Sequence, residues 1–369
     1  MRWRSRWGAC GLLTVMVLAC ALVGVARGRD GVIAAGAPVR NGKIAIFTDG
    51  YLKVITPDGS GVRRLAGSGA PGLKPCAYPT CFISTFVWSP DGTRLAFVRG
   101  NPGSGPGCQK NCRSARGALF VINADGTGER RLSVCIRDCG GTLYDGSTNL
   151  SWSPDSSNIV FSPNGLGIVN VASGRVRRLG LSGNNPAWSP DGRSIAYGVG
   201  AQLFTTNVLG RPSPRQLTQL PRFSVGSIDW APDGQTIVFD GPDSIYTVRA
   251  DGSQLTRLEA GGRGSGPGAP SWSPDGTKIL YFNTPGKPGR FTAEVWTMDA
   301  SGADKTRIVR LNCCVGVWYP PIWSPDGKQI AFAADGRGAV SGTYVSNADG
   351  TRLRQLARFP TAIAWQPLP

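Results

Sequence analysis

The sequence predicts an all-β chain folded as a seven-bladed β-propeller, and three observations carry that prediction. A Trp-Ser-Pro-Asp-Gly block recurs along the chain. The spacing of its copies is that of a four-stranded blade, and the two ends of the repeat region hold complementary halves of one unit. A six-bladed ring is the alternative.

The block stands complete at Trp88, Trp188, Trp272 and Trp323, with near copies at Trp152 (Ser156 replacing the glycine) and Trp230 (Ala231 replacing the serine). Trp365 is the last of the series. The intervals are 64, 36, 42, 42, 51 and 42 residues, close to the 40–45 expected of a propeller blade. Within one unit, Pro186-Ala187-Trp188 reads as a first strand and Ser189 to Gly192 as a tight turn. Ser194 to Tyr197, Gln202 to Val208 and Arg215 to Leu217 follow as second, third and fourth strands. Other units mark the turn between strands three and four with Ala-Asp-Gly, at Ala124, Ala250 and Ala348. Proline presets φ for such turns, aspartate bonds its own backbone, and glycine accepts positive φ. Tryptophan brings a large apolar surface and an N–H that needs a partner. The turn aspartates are therefore structural, neither a catalytic nor a calcium array.

The ends supply the seventh blade. Lys43 to Phe47 match a second strand, Tyr51 to Thr56 a third and Val62 to Leu65 a fourth, with no Trp strand before them. Residues 361–365 are a Trp strand with nothing after it. Joined, they close the ring and remove a free edge.

Trp-Ser-Pro-Asp-Gly, an Ile-Ala-Phe-type strand, Asn-Ala-Asp-Gly and Arg-x-Leu together resemble the repeat of TolB-type β-propellers, relatives of the WD-repeat propellers. The resemblance covers about residues 41–367. The expectation is therefore a free-standing propeller, without the α/β domain that precedes it in TolB or the hydrolase domain that follows it in prolyl-peptidase relatives.

Ahead of the repeats, Arg2, Arg4 and Arg6 precede an uncharged run from Ala9 to Ala26. Residues 1–29 read as a signal peptide or membrane anchor and 30–40 as a linker. Cleavage after Ala26 or near Ala35-Gly36-Ala37 suits the small-residue rule. Val17-Leu18-Ala19-Cys20 also resembles a lipoprotein box, and the run is nearly long enough for a retained span. The chain is thus expected to be exported, extracellular or periplasmic, and to meet a membrane only through this segment. Removing it takes five arginines and no acid, so the net charge of +17 falls to +12.

Histidine is absent, which excludes a Ser-His-Asp triad, a histidine general base and any His-ligated metal. Eight cysteines remain beyond the leader: Cys76, Cys81, Cys108, Cys112, Cys135, Cys139, Cys313 and Cys314. An even number in an exported chain favours disulfides over a thiolate metal site. Local bridges, or an exchange between the 108/112 and 135/139 pairs, are both open. No metal and no cofactor is expected.

In a propeller the one–two and three–four turns share one face, and the two–three and blade-to-blade connections share the other. The second set carries the insertions, at residues 66–83, 99–117, 133–147, 259–268, 283–290 and 310–318, and all eight cysteines fall in it. Long loops on a rigid frame are where recognition usually sits. Lys74, Tyr78, Lys110, Arg113, Arg137, Asp138, Tyr144, Asp145, Trp318 and Tyr319 are the candidate binding residues around the channel mouth on this face; ordinary solvated loop is the competing reading. The arginines of the fourth strands, from Arg63-Arg64 round to Arg352 and Arg354, protect an exposed sheet edge. Spread around a ring they form no groove, so no nucleic-acid partner is expected, although attraction to anionic envelope polymers remains open.

The function expected is that of a monomeric envelope binding or scaffold protein, holding a protein or glycan with the loops of one face. The alternative is a propeller enzyme, a lyase or glycosidase working with paired carboxylates. Acids outside the repeat turns are few: Asp138, Asp145, Asp229, Asp240, Asp243, Glu259 and Glu294 are among them.

Overall fold

The computed structural model describes residues 40–67, 82–100, 116–137, 150–162, 165–221, 225–241, 244–261, 266–284, 293–311, 319–334 and 341–368. They form seven four-stranded antiparallel sheets, and among them there is no helix. The chain is a seven-bladed propeller; the six-bladed alternative is excluded.

Blade 1 contains β1 (Arg40–Thr48), β2 (Tyr51–Ile55) and β3 (Arg63–Gly67), and takes its inner strand from the far end of the chain, β28 (Ile363–Leu368). Blade 2 is β4 (Phe82–Trp88), β5 (Arg94–Gly100), β6 (Arg116–Asn123) and β7 (Arg130–Arg137). Blade 3 is β8 (Leu150–Trp152), β9 (Asn158–Phe161), β10 (Gly167–Asn170) and β11 (Val176–Arg178). Blade 4 is β12 (Asn184–Trp188), β13 (Ser194–Val199), β14 (Gln202–Asn207) and β15 (Arg215–Gln216). Blade 5 is β16 (Ile228–Trp230), β17 (Thr236–Gly241), β18 (Ser244–Arg249) and β19 (Thr256–Ala260). Blade 6 is β20 (Pro267–Trp272), β21 (Lys278–Asn283), β22 (Ala293–Asp299) and β23 (Thr306–Leu311). Blade 7 is β24 (Ile322–Trp323), β25 (Gln329–Ala334), β26 (Gly342–Asn347) and β27 (Arg354–Ala357).

The period-two pattern of the second strands explains the core. Leu95 and Phe97 face one neighbouring blade while Ala96 and Val98 face the other, so both sides of each sheet are apolar. Aromatic pairs recur between second and third strands: Phe97–Phe120, Tyr197–Phe204, Phe239–Tyr246 and Phe332–Tyr344, with centroids 5.5–5.7 Å apart.

Each tryptophan lies against the preceding blade. The indoles of Trp88, Trp152, Trp230 and Trp323 donate to the carbonyls of Ala364, Val87, Ala187 and Ser271. Each acceptor is the residue just before the preceding blade's own tryptophan. The need for an N–H partner is met by the repeat itself at these four joints. Trp188, Trp272 and Trp365 are equally buried but have no acceptor within reach among the described residues.

The turn aspartates do what their position requires. In blade 6, Ser273 Oγ and Thr277 N donate to Asp275, and Lys278 N donates to Ser273 Oγ. Blades 2, 3 and 7 repeat the pattern at Asp91, Asp155 and Asp326. These hydrogen bonds hold the four carboxyls below their ordinary range despite partial burial.

Closure of the ring follows the expected pairing and extends it. Ile363, Ala364 and Trp365 pair with Ile46, Ala45 and Ile44, and beyond the tryptophan Pro367 and Leu368 pair with Asn41 and Arg40. Where other blades have a tight turn, blade 1 has two extended chain segments side by side. Gln366 fastens them: Oε1 accepts from Lys43 N, and Nε2 donates to Gly92 O of blade 2.

Candidate functional site

The antiparallel order sends the one–two and three–four turns to one face. That face is compact and self-bonded, with Ser-x-Asp-type hydrogen bonds at its turns and the prolines of one blade under the glycines of the next. Pro154, Pro190, Pro232 and Pro274 lie beneath Gly192, Gly234, Gly276 and Gly327. To the other face the strands deliver the longer connections: β3 to β4, β5 to β6, β7 to β8, β21 to β22 and β23 to β24.

Of the sequence-predicted binding residues, Lys74, Tyr78, Lys110, Arg113, Asp138, Tyr144, Asp145 and Trp318 lie outside the described residues. Arg137 does not belong to a loop, as the 133–147 insertion had it. β7 continues to Arg137, pairing Arg137 with Arg116 and Ile136 with Gly117. The same extension places Cys135 in the strand, opposite Ala118. The hairpin wins because each further residue of both strands gains a backbone partner. The other seven cysteines beyond the leader lie outside the described residues. Tyr319 is half-buried and packs against the apolar clusters on both faces of blade 1. Burial raises its phenol above the usual range.

The non-turn acids separate into distinct settings. Glu294 is buried and accepts from Trp296 Nε1 and Arg307, 2.9 and 3.2 Å away, with Arg310 at 3.5 Å. Glu259 is bridged by Lys305 at 2.5 Å. Asp229 and Asp240 are buried between blades 5 and 6. Asp138, Asp145 and Asp243 lie outside the described residues.

One class of contact escaped the sequence reading. Arginines of the outer strands are not only edge protection. Arg63 donates to the carbonyls of Ala124 and Asp125 in the next blade's turn, at 2.6 and 2.9 Å. Arg130 donates to Val171 O, Arg177 to Val208 O and Arg215 to Asp251 O, each again one blade on. Others stack on aromatic rings, as Arg64 does on Tyr51 (4.0 Å) and Arg178 on Phe161 (5.1 Å). The signal was the repeat of Arg at one strand position, combined with a turn whose carbonyls face outward.

Solved structures share this architecture. TolB from Acinetobacter baumannii superposes with a TM-score of 0.52 at 17% identity, over 90% of this chain and 84% of that one. The fold is that of a TolB-type propeller. An oligogalacturonate lyase from Vibrio parahaemolyticus gives 0.56 at 14% identity, over 86% and 85%. A chain of a mitotic checkpoint complex gives 0.55 at 18%, over 84% and 96%. No family model and no curated protein matches the sequence. TolB-type propellers thus share the ring with a lyase and with a subunit of a protein assembly, and fold alone does not choose among these roles.

Proposed function

We propose that the protein is an exported binding or scaffold protein of the cell envelope, holding a protein or glycan partner on the face that carries the long connections. The observation that supports this is the contrast between the two faces. One is closed by short turns whose polar groups bond to one another. At the other, the rigid strands that flank residues 68–81, 101–115, 138–149 and 312–318 begin and end. Ordering loops costs roughly 1–2 kcal/mol per residue in backbone entropy, so a frame that carries them on one side only suits a surface kept for recognition. Export through residues 1–29, disulfides among the eight cysteines and the binding role of Lys110, Arg113 and Arg137 belong to this reading.

Capture from an envelope extract tests it. Charge reversal at Lys110, Arg113 and Arg137 is expected to weaken capture of a partner at least tenfold. Reversal at the rim residues Arg178 and Arg257 leaves it unchanged. The opposite pattern would move the binding surface to the edge of the ring.

A further inference from the structure

The joint between blades 5 and 6 differs chemically from the others at two repeat positions. Immediately before the tryptophan, the other six blades carry Val87, Ser151, Ala187, Ser271, Ile322 and Ala364, whereas blade 5 carries Asp229. Near the far end of the second strand, where neighbouring blades carry Gly198 and Phe282, blade 5 carries Asp240. Asp229 pairs across the sheet with Val238, two residues from Asp240 on β17, so both carboxyls project from the same side. That side faces β20 of blade 6. Trp272 N donates to Asp229 Oδ2 at 2.8 Å, and Ala269 N reaches Asp240 Oδ2 at 3.5 Å. Ser227 N donates to the other oxygen of Asp240.

The approach is close. A Cβ on Gly226 would stand 2.6 Å from the Asp240 carboxylate, and one on Gly268 3.3 Å. Asp229 and Asp240 are 7% and 9% exposed, and their polar contacts are backbone N–H groups, joined at Asp240 by the Ser227 side chain. Among the described residues, the other ionisable groups facing this joint lie on blade 6 and the outer strand of blade 5. Tyr281 is buried in the shared core, Glu259 is paired with Lys305, and Glu294 is held by Arg307 and Arg310. Among the described residues no lysine or arginine pairs with Asp229 or Asp240. Taking an unpaired charge out of water is costly. Burial accordingly raises Asp229 to about 8 and Asp240 to about 6, and the backbone hydrogen bonds oppose the shift only in part.

We propose that the joint between blades 5 and 6 is a proton-operated catch: uncharged, the two carboxyls let β20 dock on β16 and β17, and charged, they loosen that one joint. The sign follows from linkage. A carboxyl whose folded-state pKa is raised contributes stability below its ordinary value near 3.8, and that contribution is lost as pH rises toward about 8.

Amide hydrogen exchange on the full chain at pH 5.5 and 8.5, corrected for the intrinsic rate, reads the catch directly. Segments 225–241 and 266–284 are expected to lose protection at least tenfold at the higher pH, while segment 184–199 of blade 4 does not. The D229N/D240N double variant should abolish the difference. The catch is overturned if the joint segments follow the blade 4 control in the wild-type chain, a comparison that stands even should the double variant fail to fold. It is also overturned if a folded double variant keeps the full pH dependence.

Discussion

Deleting residues 360–369 would open the ring at the one sheet that, among the described residues, joins distant parts of the chain, and the cost can be worked from what β28 touches. Ile363 and Trp365 are 4% and 6% exposed. Truncating such side chains to alanine typically costs about 2–5 and 3–5 kcal/mol. The deletion also removes the backbone pairing to β1, both bonds of Gln366, the acceptor for the Trp88 indole and the Thr361 Oγ1 bond to Phe47 O. A loss of about 5–10 kcal/mol is therefore expected, against a whole-domain stability of roughly 5–15 kcal/mol. Scanning calorimetry should show the midpoint falling by about 10 °C or more. A synthetic peptide of residues 358–369 should raise it again in a concentration-dependent way, since a ligand that binds only the folded state stabilises it by mass action. A truncated chain that melts with the full one, and ignores the peptide, would refute the closure reasoning.

Three further outcomes follow from the contacts described. Gly92→Ala places a Cβ 1.8 Å from Pro367 O at a φ of +67°, while Gly210→Ala, at φ +72°, meets nothing within 4 Å; urea unfolding should show the first costing upwards of ~2 kcal/mol and the second near ~1. Arg177→Ala and Arg215→Ala should each cost about 0.5–1.5 kcal/mol through the lost carbonyl contact, and Arg257→Ala, which breaks no such contact, close to nothing by the same measurement. Asp275→Ala should cost about 1–2 kcal/mol at pH 7 through its lost hydrogen bonds. Because the Asp275 carboxyl is held below its ordinary range, its contribution is present above pH ~4 and is lost as pH falls, so wild type and variant should converge in acid unfolding.

The fold was legible because its units repeat. One Trp strand and one Asp turn are weak signals, but seven Trp strands and six Asp turns at intervals centred on 42 residues leave little freedom, and the half-units at 43–65 and 361–365 specify how the ring shuts. Contacts between units were harder to see. Reading Arg177 within its own blade suggests edge protection; only the ring shows that Val208 O of the next blade lies in front of it. The length of β7 was hidden by Cys135, since a cysteine among insertions reads as loop while the Ser-Val-Cys-Ile alternation reads as strand, and pairing with Ala118 decides for strand. Asp229 and Asp240 were noticed as acids outside the turns. Laying the repeats over one another would have shown Asp229 where its neighbours carry Ala187 and Ser271.

The split blade has a consequence for chain order. Every joint for which an indole contact is described uses the same vocabulary, a tryptophan reaching back, and at several joints an arginine reaching forward reinforces it. The joint spanning Trp88 and Ala364 obeys this grammar although its partners come from opposite ends of the repeat region. Arg40 and Leu368 are cross-strand partners, about 5 Å apart at the backbone. A linker of a few residues could therefore bridge them, as the tight turns bridge the other blades. The polypeptide could then begin at any hairpin, such as the one at Asp191-Gly192 in blade 4, and still trace the same circle. Which hairpin of the ring is left open is, for this architecture, a matter of bookkeeping rather than of structure.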